Sequence, residues 1–276
     1  MKLFLNILLV TSALFSCQSK DETKQNTSKT TKTSVKNDLK YDTSIQTAHV
    51  FVALCDNKYQ GIVPVPEKIG NGQDPVNNLY WGAMFGVKTY FKNSKDWKLL
   101  KASKLNDTIL ERLIFKHKTK NFYLIADAYD GKEIQKTTED FLYSSSGQQK
   151  DTLNIDNKTI GIKGNANLVA YIGHDGLMDF KLKDDFKNED QKKRDAIILA
   201  CYSKHYFGPH LEDANINPLV WTSNLMAPEA YILHDALSGY LAKESNVDIQ
   251  NRAASAYSKY QKISLKSAKK LLVTDW

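Results

Sequence analysis

Arginine is nearly missing from this 276-residue chain: three occur, at 112, 194 and 252, among 38 basic residues. No arginine- or lysine-rich stripe interleaves with aromatics, so the footprint of a nucleic-acid partner is absent. Cysteine is scarce too, at 17, 55 and 201 only. Apolar runs are short, and none reaches the roughly 20 residues that a membrane-spanning helix needs. Phosphate-loop chemistry is excluded, because Gly70-Asn71-Gly72 is followed by no lysine and hydroxyl in register and reads as a turn. There is no nucleophile elbow of the serine-hydrolase kind. His205 and His210, with Glu212 or Asp213 nearby, are five apart in an expected loop, which is not a helix-face pair. Neither a metal nor a cofactor is expected.

What is present begins with Lys2 and an apolar run over residues 3–15. A basic start, a short apolar core and small residues before a cut describe a secretory signal. The run closes on Ala13-Leu14-Phe15-Ser16-Cys17, which resembles the lipobox of bacterial lipoproteins. That resemblance implies a signal peptide over 1–16, cleavage before Cys17 and a diacylglycerol on its sulfur. Acyl chains then hold the protein to a membrane, each buried methylene contributing roughly 0.8 kcal/mol. Residues 17–45 are mostly Ser, Thr, Lys, Asn and Gln, too polar to offset their ordering entropy, and read as a tether. Within it Gln18-Ser19-Lys20-Asp21-Glu22 is similar to surface-export signals of Bacteroidetes lipoproteins, which points to the outer membrane and its outer face. Lys2 and a surplus of three lysines in the tether carry part of the formal +7, leaving about +3 for the rest.

Residues 46–276 have the length of one sizeable domain. Short runs rich in β-branched and aromatic residues at 49–54, 122–126, 168–172, 196–200 and 219–221 read as buried strands. Helices are predicted from Asp74-Pro75 through Leu79, Ala83, Val87 and Phe91, over 107–115, after Asp130-Gly131, and from Pro228 through Leu241. Residues 151–163, turning at Asn157-Lys158, read as a hairpin, and 248–273 as two more helices. Alternating strands and helices predict an α/β fold: a mainly parallel sheet with helices on both faces, in three layers.

Chemistry in such folds gathers beyond the carboxyl ends of the strands. Cys55 follows the first strand, Asp127 the second, Gly173-His174-Asp175-Gly176 the third and Cys201 the fourth. If the third and fourth strands are neighbours, about 4.8 Å apart, His174 and Cys201 face one cleft. A cysteine attacks as its thiolate, and an imidazole can take its proton and later return it to a leaving amine. Backbone N–H groups at the turn after His174 could stabilise the oxyanion. Asp56, Asp74 and Asp127 are candidates to line a substrate pocket, although capping and turn chemistry explain such residues as well. His234, beside Asp235 on a helix, reads as structural.

Leu168-Val169-Ala170-Tyr171-Ile172-Gly173-His174 followed by Ala196-Ile197-Ile198-Leu199-Ala200-Cys201 resembles the His-Gly and Ala-Cys blocks of caspase-like cysteine peptidases, CHAT-type domains included. The match spans roughly 168–242. It implies an endopeptidase acting on protein or peptide, with His174 as acid/base and Cys201 as nucleophile. One departure matters: Asp175 stands between the histidine and Gly176, where the family places glycine at once. Asp175 could orient His174 instead, or the site could be dead, which leaves a non-catalytic binding or assembly module as the alternative. Cys55 and Cys201 form an even pair in an oxidising compartment and invite a disulfide. With the caspase-like order 2-1-3-4 their strand tips stand about 9.6 Å apart, beyond the roughly 7 Å between Cα atoms that a bridge tolerates. A different order would permit the bridge. A hydrolase built on Asp127 and His174 is a third possibility.

Overall fold

The computed structural model describes residues 40–276. The expected signal segment, Cys17 and the tether up to residue 39 lie outside the described residues. Among the described residues no helix is long and apolar enough to cross a membrane.

In chain order the elements are β1 (Gln46–Ala53), α1 (Val87–Lys92), β2 (Trp97–Ser103), β3 (Ile109–His117), β4 (Phe122–Tyr129), α2 (Ile134–Ser146), β5 (Lys150–Ile155), β6 (Lys158–Lys163), β7 (Leu168–Ile172) and β8 (Arg194–Leu199). They continue with α3 (Ser203–Leu211), β9 (Ile216–Thr222), α4 (Ala230–Leu241), α5 (Asn246–Gln261), α6 (Leu265–Leu271) and β10 (Leu272–Val273). Eight strands form one sheet in the order β10-β9-β8-β7-β1-β4-β3-β2, and β5 and β6 make a separate hairpin. The five central strands, β9 to β4, are parallel, while β10, β3 and β2 add antiparallel edges.

The alternation of side chains along each strand builds the layers. In β7, Leu168, Ala170 and Ile172 join the core beneath α1, α4, α5 and α6, while Val169 and Tyr171 join the core beneath α2 and α3. In β8, Ile197 and Leu199 face the first core, and Ala196 and Ile198 the second. Both faces are therefore apolar and covered, which is why these strands are continuous apolar runs in sequence. The expected α/β fold with helices on both faces is the observed one.

Three segments depart from the sequence reading. Residues 107–115, expected as a helix, lie mostly in β3, which pairs with β2 and β4 and carries a bulge between Ile109 and Glu111. The helix expected from Asp74 to Phe91 is confined to α1, after a run of turns. Asn78 competes with helical backbone there: its side chain accepts from Cys55 N–H at 3.1 Å and donates to Cys55 O at 2.8 Å. Gly82 packs so closely on the Val76 carbonyl that a Cβ would sit 1.9 Å from its oxygen. The histidine-bearing segment expected as a loop is α3, with Pro209 near its end.

The sparse arginines are all used internally. Arg112 pairs with Asp127, Arg194 with Asp190 and Arg252 with Glu244.

Candidate active site

β7 and β8 run side by side with Ile172 opposite Leu199. Each strand then continues two residues, one to His174 and the other to Cys201. Both side chains line one cleft of about 290 Å³. The cleft lies beyond the carboxyl ends of the parallel strands. Its walls come from the loop after β1, the turn after β7 and the segment after β9.

The turn at the histidine is built by its sequence. Gly173 adopts φ 149°, and a Cβ there would meet the Ala53 carbonyl oxygen of β1 at 2.8 Å, so the position admits only glycine. The Tyr171 hydroxyl donates to the His174 carbonyl at 2.8 Å and fixes the backbone from below. His174 is buried, and its Nε2 lies 2.8 Å from Asp179 Oδ2. A carboxylate can only accept, so Nε2 carries a proton, and in a neutral ring Nδ1 keeps a lone pair. Asp179 Oδ2 also accepts the Gly61 N–H at 3.0 Å, which ties the turn to the loop after β1.

The cysteine turn is pinned as firmly. Tyr202 holds φ 50°, a left-handed conformation that a bulky residue adopts at a cost. Thr222 of β9 stabilises it: Ser203 N–H donates to Thr222 Oγ1 at 3.0 Å, Thr222 N–H donates to Ser203 Oγ at 2.9 Å, and Thr222 Oγ1 donates to the Ala200 carbonyl. Cys201 Sγ accepts the Met226 N–H at 3.4 Å. Burial pushes its thiol up, and the Met226 N–H pulls in the opposite direction, with burial the larger. The resting group is a protonated thiol, which would need a base to become a thiolate.

Cys55 is buried, its thiol pushed up to about 11 by burial, and both it and Cys201 are free. β7 stands between the strands that lead to them, as the no-bridge alternative requires.

Asp175 and Gly176 open a short 3-10 turn rather than lining the cleft. Asp175 Oδ1 accepts the Leu177 N–H at 3.0 Å, while its buried Oδ2 has no partner among the described residues. Burial raises this carboxyl to about 7, and neighbouring Asp179 adds to the rise. The carboxylate bonded to His174 is thus Asp179, not Asp175. The sequence reading missed it, because five residues through a turn form no regular spacing.

The expected pocket carboxylates are not at the cleft. Asp56 accepts from Lys58 N–H at 2.8 Å and from Gln73 Nε2 at 2.8 Å. Asp74 closes its own turn on Val76 and Asn77. Asp127 lies within β4, fully buried; Arg112 Nε and Nη2 both donate to it at 2.6 Å and His49 Nε2 at 2.9 Å. That pairing leaves no role for Asp127 with His174. Among the described residues no group of His, Cys, Asp and Glu is placed to hold a metal ion. His205 is exposed and His210 rests against Phe186. His234 meets Ser94 and Asp235, each at 2.9 Å, in a structural role. Comparison with protein-family models, with curated proteins and with solved structures finds no match to this chain.

Proposed function

We propose that the protein is an envelope lipoprotein, anchored through Cys17 at the outer membrane, whose domain is a caspase-like cysteine endopeptidase. The observation that carries the chemistry is that His174 and Cys201 each lie two residues beyond paired strand ends and line one cleft. The strand order supports the caspase-like reading, since β4, β1, β7 and β8 follow the 2-1-3-4 pattern. Asp179 completes the arrangement as the group that fixes the tautomer of His174.

In the proposed reaction the Cys201 proton passes to His174 Nδ1 as Sγ attacks the substrate carbonyl carbon. A carbon–sulfur bond forms, and the carbonyl electron pair moves to oxygen. Collapse re-forms the carbonyl and breaks the carbon–nitrogen bond, and the amine leaves with the proton held by His174. Water then attacks the thioester, giving its proton to His174. The acid departs as the thiol is regenerated.

One observation favours the non-catalytic module. The Cys201 sulfur is held to the Met226 backbone, and its thiol is pushed up rather than down. Iodoacetamide separates the two readings. In the full-length protein, mass spectrometry should find Cys201 alkylated far faster than Cys55, and His174→Ala should slow that reaction on the order of tenfold. Equal rates with and without the imidazole would leave the binding module.

A further inference from the structure

The chemistry of the cleft walls goes one step beyond the dyad. Ile62, Val63, Met178, Leu225, Met226 and Pro228 supply most of the lining, and the remaining side chains with polar atoms are Tyr80, His174 and Cys201. Among the described residues no Asp, Glu, Lys or Arg lines it. Asp179, the carboxylate bonded to His174 Nε2, also holds the Gly61 N–H. Asp175 is buried beneath the turn and engaged with Leu177.

The rim is unusual in its exposure. Val63 is 87% exposed, Leu225 62% and Met178 40%, although large apolar side chains on a surface are ordinarily scattered. Here three of them, from three separate loops, line the cleft that holds the sulfur. Their positions relative to the chemistry are fixed. The Met226 backbone touches Sγ, Leu225 precedes it, and Met178 sits on the turn that carries His174. A substrate carbon bonded to Sγ brings the side chain of its own residue closest to these groups.

We infer that the cleft selects a peptide whose residue on the acyl side of the scissile bond carries a large apolar side chain, of the Leu, Met or Phe kind, and rejects charged residues there. This rests on the peptidase reading. The two flexible thioether side chains let the pocket accept several apolar shapes. A lysine, arginine or aspartate would lose water and meet no free opposite charge. The acidic pocket weighed for a basic preference is not part of this cleft, because Asp56, Asp74 and Asp127 are spent elsewhere.

Three peptidyl chloromethyl ketones, identical except for Leu, Lys or Asp beside the reactive carbon, test this on the full-length protein. Sγ bonds to the methylene carbon as chloride leaves, and mass spectrometry reads the Cys201 adduct against time. The Leu probe should label Cys201 at least about tenfold faster than the Lys or Asp probe. Leu225→Asp, a change at an exposed position, should reverse the order by slowing the Leu probe and speeding the Lys probe. Fast iodoacetamide labelling with Lys or Asp preferred would overturn the apolar specificity and leave the peptidase reading standing. Were Cys201 inert to every reagent, titration of Cys201→Ser with the matching peptide amides would decide. Preferential binding of the Leu amide would support apolar selection without catalysis. Equal or absent binding would overturn it.

Discussion

Two clusters among the described residues pair a buried histidine with aspartate, and they differ in how completely their atoms are used. In the first, His49 of β1 donates from Nε2 to Asp127 and accepts the Lys163 N–H at Nδ1, at 2.9 Å each, while Arg112 grips Asp127 through two bonds. Both ring nitrogens are filled and the imidazole is fully buried. In the second, His174 is tied through Nε2 alone, Asp175 Oδ2 is an orphan, and a cleft with a thiol adjoins. Burial has opposite outcomes in the two. Around Asp127 it is outweighed by Arg112 and His49, and the carboxyl is held at about 2. Around Asp175 it prevails, and the carboxyl rises to about 7. A closed network stabilises a sheet face, whereas an incomplete one beside a cleft has capacity for chemistry.

The largest effect expected from this contrast is at Arg112. Arg112→Ala leaves Asp127 buried without its cation, and about 3–5 kcal/mol of stability should be lost in urea unfolding. Alkylation of Cys201 below the transition should keep its wild-type rate, because the cleft shares no residue with this network. The pH dependence carries a definite sign. Asp127 is depressed in the fold, so its contribution is fully present above the unfolded value near 3.9 and is lost as pH falls towards 2. A variant equal to wild type would mean that the pair contributes no net stability.

Asp175 has the reverse sign and a smaller expected effect. Its carboxyl is raised, so the stabilising form is the protonated one, present below about 4 and lost as pH rises through about 7. Melting of wild type should therefore fall between pH 5 and pH 8 by more than in Asp175→Asn, which retains the acceptor for Leu177 N–H. At pH 8 the variant should be more stable by on the order of 2 kcal/mol. The ionised carboxylate also raises the Cys201 thiol. Asn should then speed alkylation at pH 8 a few-fold, and an unchanged rate would separate Asp175 from the nucleophile.

The contrast also explains what could be read from the sequence. Strands β1, β7 and β8 declare themselves because both faces are covered and each carries an unbroken apolar run, and their order puts His174 and Cys201 beyond paired tips. Partly exposed antiparallel strands carry no such signal. In β3 the mixed run around Glu111-Arg112 reads as an amphipathic helix until β2 and β4 pair with it. Asp127 looked like a residue at a strand end, but β4 extends to Tyr129 and draws it inside. The partnership of His174 with Asp179 depends on the path of a turn, as does the gathering of Val63, Met178 and Leu225 from distant loops. Local pattern brought His174 and Cys201 to one cleft, and only the assembled loops supplied the Asp179 partner and the apolar walls.

The smallest effect, and the one most specific to the dyad, is expected at Asp179. The carboxylate accepts from Nε2 and so holds the proton there, which keeps Nδ1 free to accept from the thiol. In Asp179→Asn the side-chain amide can donate instead, which would favour the tautomer with its proton on Nδ1 and disable that nitrogen as a base. Alkylation of Cys201 near pH 7 should slow by about tenfold, in line with the loss of an orienting group. Asp179→Glu, which restores an acceptor-only partner, should recover part of the rate. The residue sits at the surface, so melting should move little in either variant. If Asn and wild type react alike while His174→Ala is slow, then His174 acts without Asp179. The bond between them would then serve, like the His49 network, to hold the loop after β1 against the turn.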